Sequence, residues 1–132
     1  MIGIAGTYFH TNTISSYYLA KFSTKYNFTE YMIYSEDPEV MESSRGVTVD
    51  FENEMVYIAV EINKQEYHGR TVYTPGTLPG SDNSNIAINA YSWRHGVRTW
   101  TTVIGNANFI DSFARMKSFG NNLYVFLNSF ST

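Results

Sequence analysis

Apolar and polar positions alternate along most of this chain with the period of a β-strand. The clearest case lies between Ser44 and Ile62. Val47 and Val49 alternate with Gly46, Thr48 and Asp50, as in a strand with one buried face. Met55 to Val60 is a nearly unbroken apolar run of β-branched and aromatic residues, which fits a strand covered on both faces. Between them Asp50 and Asn53 supply turn chemistry, because short polar side chains bond the local backbone. The pattern predicts a hairpin.

The same reading assigns strands to Gly3–Phe9, Tyr17–Phe22 and Phe28–Tyr34, with Phe28, Tyr31 and Ile33 as packing residues. His10 to Ser16 reads as a polar loop, Ser23 to Asn27 as a turn, and Ser35 to Ser43 as an acidic connector broken by Pro38. Beyond the hairpin, Asn63 to Asn83 is the longest region without strand signals and is rich in breakers: Gly69, Pro75, Gly76, Pro79 and Gly80. A loop of that length is either functional or an embellishment. Strands follow at Asn85–Ser92 and Val97–Ile104, around a tight turn at Trp93-Arg94-His95-Gly96. Ile110–Lys117 and Leu123–Phe130 form a last hairpin around Ser118–Asn122. Phe109–Lys117 is the one stretch where a short helix competes, though it lacks the length of a stable one.

The chain also resembles itself. Met1–Thr7 aligns with Met55–Glu61 at an offset of 54 positions, and Leu19–Lys25 with Ile88–Arg94 at 69, which carries Tyr31 onto Trp100. Ser44…Phe51-Glu52-Asn53…Met55 aligns with Ser112…Phe119-Gly120-Asn121…Leu123 at 68. The offsets agree to one residue once a 15-residue insertion is placed in Asn63–Asn83, the region already set apart by its Gly and Pro content. With the strands of one unit lettered a to d, residues 1–35 supply b-c-d, residues 44–104 a full a-b-c-d unit with its insertion at 63–83, and residues 110–130 an a-b hairpin. Four-stranded units at such periods mark β-propeller blades, and one blade cannot bury both of its faces unaided.

Arg45-Gly46-Val47-Thr48-Val49-Asp50…Asn53…Val56-Tyr57-Ile58-Ala59 resembles the "GxxxD…GNxYVxG" core of SBBP-type β-propeller repeats. Tyr18-Leu19-Ala20-Lys21-Phe22-Ser23 with Tyr31, and Asn89-Ala90-Tyr91-Ser92 with Trp100, resemble the same family's "xxxAKxD…W" segment. The likeness spans most of the chain except Asn63–Asn83. The chain departs from the pattern at Asp50–Glu54, which lacks the turn glycine, and at Met116-Lys117. The resemblance implies an all-β fold of antiparallel four-stranded blades. Propellers have roughly four to eight blades, and nine strands make just over two, so the propeller is incomplete. Exposed first and last strands would present unpaired edges. Neighbouring chains complete the ring, or the chain is a piece of a larger propeller, or the strands close into a β-sandwich instead. A chain that opens directly in strand-like sequence points the same way, to a fragment, a split protein or one completed by partners.

Composition narrows the function. Charged residues are 16% of the chain, against roughly 25% in an average globular protein. A net charge of −3 with no basic block gives nucleic-acid binding little support. There is no cysteine, hence no disulfide framework or thiolate metal site, and no apolar run reaches the roughly 20 residues of a membrane span. Asn27-Phe28-Thr29 is a formal glycosylation sequon, for which no leader peptide argues.

No nucleophile elbow, P-loop, dinucleotide fingerprint or HExxH occurs, so the expectation is a non-enzymatic chain without cofactor or metal. His10, His68 and His95 are scattered, with His10 and His95 the one pair worth testing as metal ligands. The Glu36–Glu42 run and the Asp50, Glu52, Glu54 set read as a solvated connector and as turn chemistry. Contact residues are expected in the insertion, at Tyr67, His68, Arg70 and Tyr73, because loops carry function and Tyr and Arg favour interfaces. Trp100, matched to Tyr31, reads as a core aromatic. Trp93, matched to Thr24, reads as a surface residue and is the fifth expected contact, able to stack on a sugar or a base. The expected function is a structural or protein-interaction module, completed by self-association or by partner subunits. A carbohydrate-binding or carbohydrate-active propeller fragment, with a glycan on the aromatic loops, and a virion- or tail-type β-sandwich are the alternatives.

Overall fold

The computed structural model describes residues 2–9, 15–25, 28–34, 42–62, 66–67, 70–71, 85–104 and 109–131. Every regular element among them is a strand: β1 (Ile2–Phe9), β2 (Ser15–Ser23), β3 (Phe28–Tyr34), β4 (Glu42–Asp50), β5 (Met55–Ile62), β6 (Glu66–Tyr67), β7 (Arg70–Thr71), β8 (Asn85–Ser92), β9 (Arg98–Ile104), β10 (Phe109–Phe119) and β11 (Asn122–Ser131). The stretch where a helix competed is β10. Glu42 and Ser43, read as the end of an acidic connector, open β4 instead, where Glu42 pairs with Ile62. The rest of that connector, with Pro38, lies outside the described residues.

The strands form antiparallel meanders. One sheet runs β1-β2-β3, a second β4-β5-β8-β9, a third β10-β11, and β6-β7 is a small separate ladder. These sheets share a register. Ile2 opposite Phe22 in the first corresponds to Val56 opposite Tyr91 in the second. Lys21 opposite Tyr31 corresponds to Ala90 opposite Trp100, and each pair is followed by a one-residue bulge. The hairpins β4-β5 and β10-β11 are bulged at matching places, between Ser44 and Gly46 and between Phe113 and Arg115. The single offset of 68 read for these hairpins splits into 69 before the turn and 67 after it. The first turn uses Phe51 to Glu54, whereas the second is closed by Gly120 and Asn121 alone. Gly120 has φ +58 in the first central position, as a type II′ turn demands.

The sheets stack in three layers, and among the described residues they close into neither a barrel nor a ring. Alternation along β5 sends Val56, Ile58, Val60 and Ile62 to the first sheet, where they meet Tyr17, Leu19, Tyr31 and Ile33. It sends Tyr57 and Ala59 the other way, with Ile86, Ile88 and Ala90 of β8, onto Phe113, Met116, Leu123, Val125 and Leu127 of the third. The central sheet is therefore apolar on both faces, as the unbroken run Met55–Val60 foretells. Each large side chain sealed there contributes about 1.5–3 kcal/mol of transfer free energy. Gly46 lets the third layer approach. A Cβ there would lie 2.6 Å from the Phe113 ring, so any larger residue would push the hairpin away.

The turns at one end of the stack tie the layers together. Asn53 donates its backbone N–H and Nδ2 to the Asp50 carboxylate at 3.0 and 2.8 Å, and Nδ2 also reaches the Gly120 carbonyl at 3.2 Å. Those bonds hold the Asp50 carboxyl below its ordinary value. Glu54, in the left-handed region at φ 56, accepts the Trp93 N–H on its carbonyl at 2.8 Å. Its carboxylate meets Arg94 at 2.6 Å.

Candidate functional site

Of the five contact residues expected from sequence, three lie among the described residues. Tyr67 and Arg70 lie opposite each other in the β6-β7 ladder, while His68 and Tyr73 lie outside the described residues. Trp93 corrects its reading: it is 5% exposed and belongs to the core between the first two sheets. The β8-β9 turn folds back over the first sheet, and Gly96 at φ +66 permits this. A Cβ on Gly96 would stand 2.8 Å from Ile33 Cδ1. Phe51 meets the Trp93 ring edge-on at 5.8 Å. Lys21 Nζ lies 4.8 Å from the Trp93 ring centre and 5.6 Å from that of Tyr31. The Lys21 ammonium is paired with Glu30 at 2.7 Å, so this aromatic slot already holds its cation.

Trp100 reverses its expectation as well. It shares the ladder position of Tyr31, but it is 39% exposed and touches Tyr57 with ring centres 5.8 Å apart. The third layer packs on β4, β5 and β8 and leaves Trp100 of β9 exposed, so the position that is covered in the first sheet is open in the second.

The other polar groups read as structural. Asp50 and Glu54 turn to Asn53 and Arg94, so the alternating carboxylates do not converge. His95 is exposed and its backbone N–H reaches Ser92 Oγ at 3.3 Å; His10 lies outside the described residues. Among the described residues no three His, Cys, Asp or Glu side chains are grouped to hold a metal, and no helix is long and apolar enough to cross a membrane.

Buried phenols make the molecule sensitive to alkali. The Tyr17 and Tyr91 hydroxyls bond each other across the first interface, and burial, then Tyr91, drives Tyr17 far above the usual phenol range. Tyr31, whose hydroxyl donates to the Trp93 carbonyl at 3.0 Å, is pushed up to about 12 by burial and then by Glu30. Burial, then Asp50, raises Tyr57. A pKa raised on folding means stability that is present below the unfolded value, near 10, and lost as pH rises through the folded one. Urea midpoints should therefore hold steady up to about pH 10 and fall steeply above it, with phenolate absorbance appearing together with unfolding. Free ionisation of all the tyrosines near pH 10 in a folded chain would refute this.

What the sequence reading missed is the outward face of the third sheet. With Leu123, Val125 and Leu127 turned inward, alternation turns Tyr124 and Phe126 out, beside Arg115 and Lys117, which they oppose in the ladder. Phe126 is 57% and Phe119 73% exposed. The signal was present: Leu123–Leu127 is an unbroken apolar run like Met55–Val60. In β5 both faces are covered; in β11 only one is.

No protein-family model matches the chain, nor does any curated protein or solved structure.

Proposed function

We propose that this chain is a non-enzymatic structural or protein-interaction module built of β-propeller-like blades, completed by self-association or by partner subunits. The observation that carries the reading is the shared register of sheets of unequal completeness. One sheet has four strands. Among the described residues its neighbours have three and two, and they follow the same pairings and bulges. Sheets of that kind leave strand edges and apolar faces that proteins ordinarily cover. The resemblance to SBBP-type propeller repeats supports the same reading. Carbohydrate binding by stacking on Trp93 is disfavoured, because that side chain lies in the core. Light scattering with native mass spectrometry is expected to find an assembly larger than one chain. A stable monomer that also recruits no partner would overturn the proposal.

A further inference from the structure

We propose that copies of this chain join head to tail, the outward face of β10-β11 in one copy seating on the outward face of β1-β2-β3 in the next. The inference rests on the blade reading above and adds to it the two surfaces and the occupant. Inside the chain every layer contact is made the same way. The face of the first sheet bearing Tyr17, Leu19, Tyr31 and Ile33 meets the face of the second bearing Val56, Ile58 and Val60. The opposite face of the second, bearing Tyr57, Ala59 and Ala90, meets the face of the third bearing Phe113, Val125 and Leu127. By register Tyr124 and Phe126 stand where Tyr57 and Ala59 stand, so the exposed face of the third sheet is the face that the next layer covers in the second. The complementary face lies at the other end of the stack, where Met32 is exposed and Tyr18 and Phe22 are half-buried. With Tyr17, Leu19, Tyr31 and Ile33 turned inward, Tyr18, Phe22 and Met32 alternate outward, and Met32 is 47% exposed.

By register Phe22 stands where Tyr91 stands, so the outward face of the first sheet is the face that the second sheet turns to the layer before it. The chain's own first sheet thus offers its last the same kind of face that the inner layers already join through. A contact between two different faces closes into a ring or runs on as a filament, unlike a two-fold contact of one face with itself.

The test uses the full chain with Phe126→Glu on one face and Met32→Glu on the other, one of them isotopically labelled, in native mass spectrometry and light scattering over a range of concentrations. Both positions are exposed, so folding should survive, and circular dichroism checks it; Tyr124→Lys and Met32→Lys replace either variant that unfolds. Wild type is expected to assemble, and each variant alone to weaken assembly by about 30-fold or more. An equimolar mixture should restore one-to-one dimers, because it retains one intact pair of faces. Loss with Phe126→Glu but not with Met32→Glu would mean that β10-β11 faces meet each other, and would overturn the head-to-tail arrangement. Assembly unchanged in both variants would overturn it too, while leaving the wider assembly reading intact. A monomeric wild type would overturn this inference together with self-association.

Discussion

Replacing Trp93 by alanine is expected to lower unfolding free energy by about 3–5 kcal/mol, the range for a large aromatic removed from a packed core. The ring touches both Phe51 and the Lys21 ammonium, in the cluster that joins the first two sheets. Its loss opens a cavity and leaves a buried cation with Tyr31 and Glu30 alone. Denaturant unfolding followed by circular dichroism reads the effect. Trp100→Ala is the internal comparison: exposed at the uncovered edge, it should cost about 1 kcal/mol or less. A surface tryptophan kept for stacking on a ligand would give the reverse order.

Ile58→Ala and Ile88→Ala should each cost about 2–5 kcal/mol. Ile58 faces the first sheet and Ile88 the third, and both are sealed from water. In a sheet with one wet face, one of the two substitutions would cost almost nothing. Equal and large losses are the signature of a central layer enclosed on both sides. Urea midpoints at constant slope would establish them, and a near-neutral Ile88→Ala would mean that the β10-β11 hairpin does not cover the sheet in solution.

The strands were legible because each is written by alternation or by an apolar run, and Phe28–Tyr34 and Asn85–Ser92 were read to the residue. The four-stranded sheet spanning the insertion followed from the match of Leu19–Lys25 with Ile88–Arg94, since aligned strands pair alike. The two tryptophans were read the wrong way round for a physical reason. Alignment fixes a ladder position, but exposure depends on what lies over it. Tyr31 and Trp100 hold one position, yet the layer over the second sheet is two strands wide and leaves Trp100 exposed. Trp93 lies in a turn, where alternation says nothing, and only the fold-back at Gly96 buries it. The exposed face of β11 was hidden by the same gap, because an apolar run promises two dry faces without saying whether both covers lie in one chain.

The ladders of β1-β2 and β5-β8 agree pair for pair, although 5 residues link the first couple and 22 the second. Closing the longer link costs only about 1.3 kcal/mol more, on the logarithmic scaling of loop entropy with length. That is less than one buried isoleucine contributes. The far end of the stack, away from the Asn53 and Glu54 ties, is therefore where foreign peptide can be grafted, and engineers could lengthen, shorten or exchange the segment between Ile62 and Asn85 while the sheet keeps its alignment.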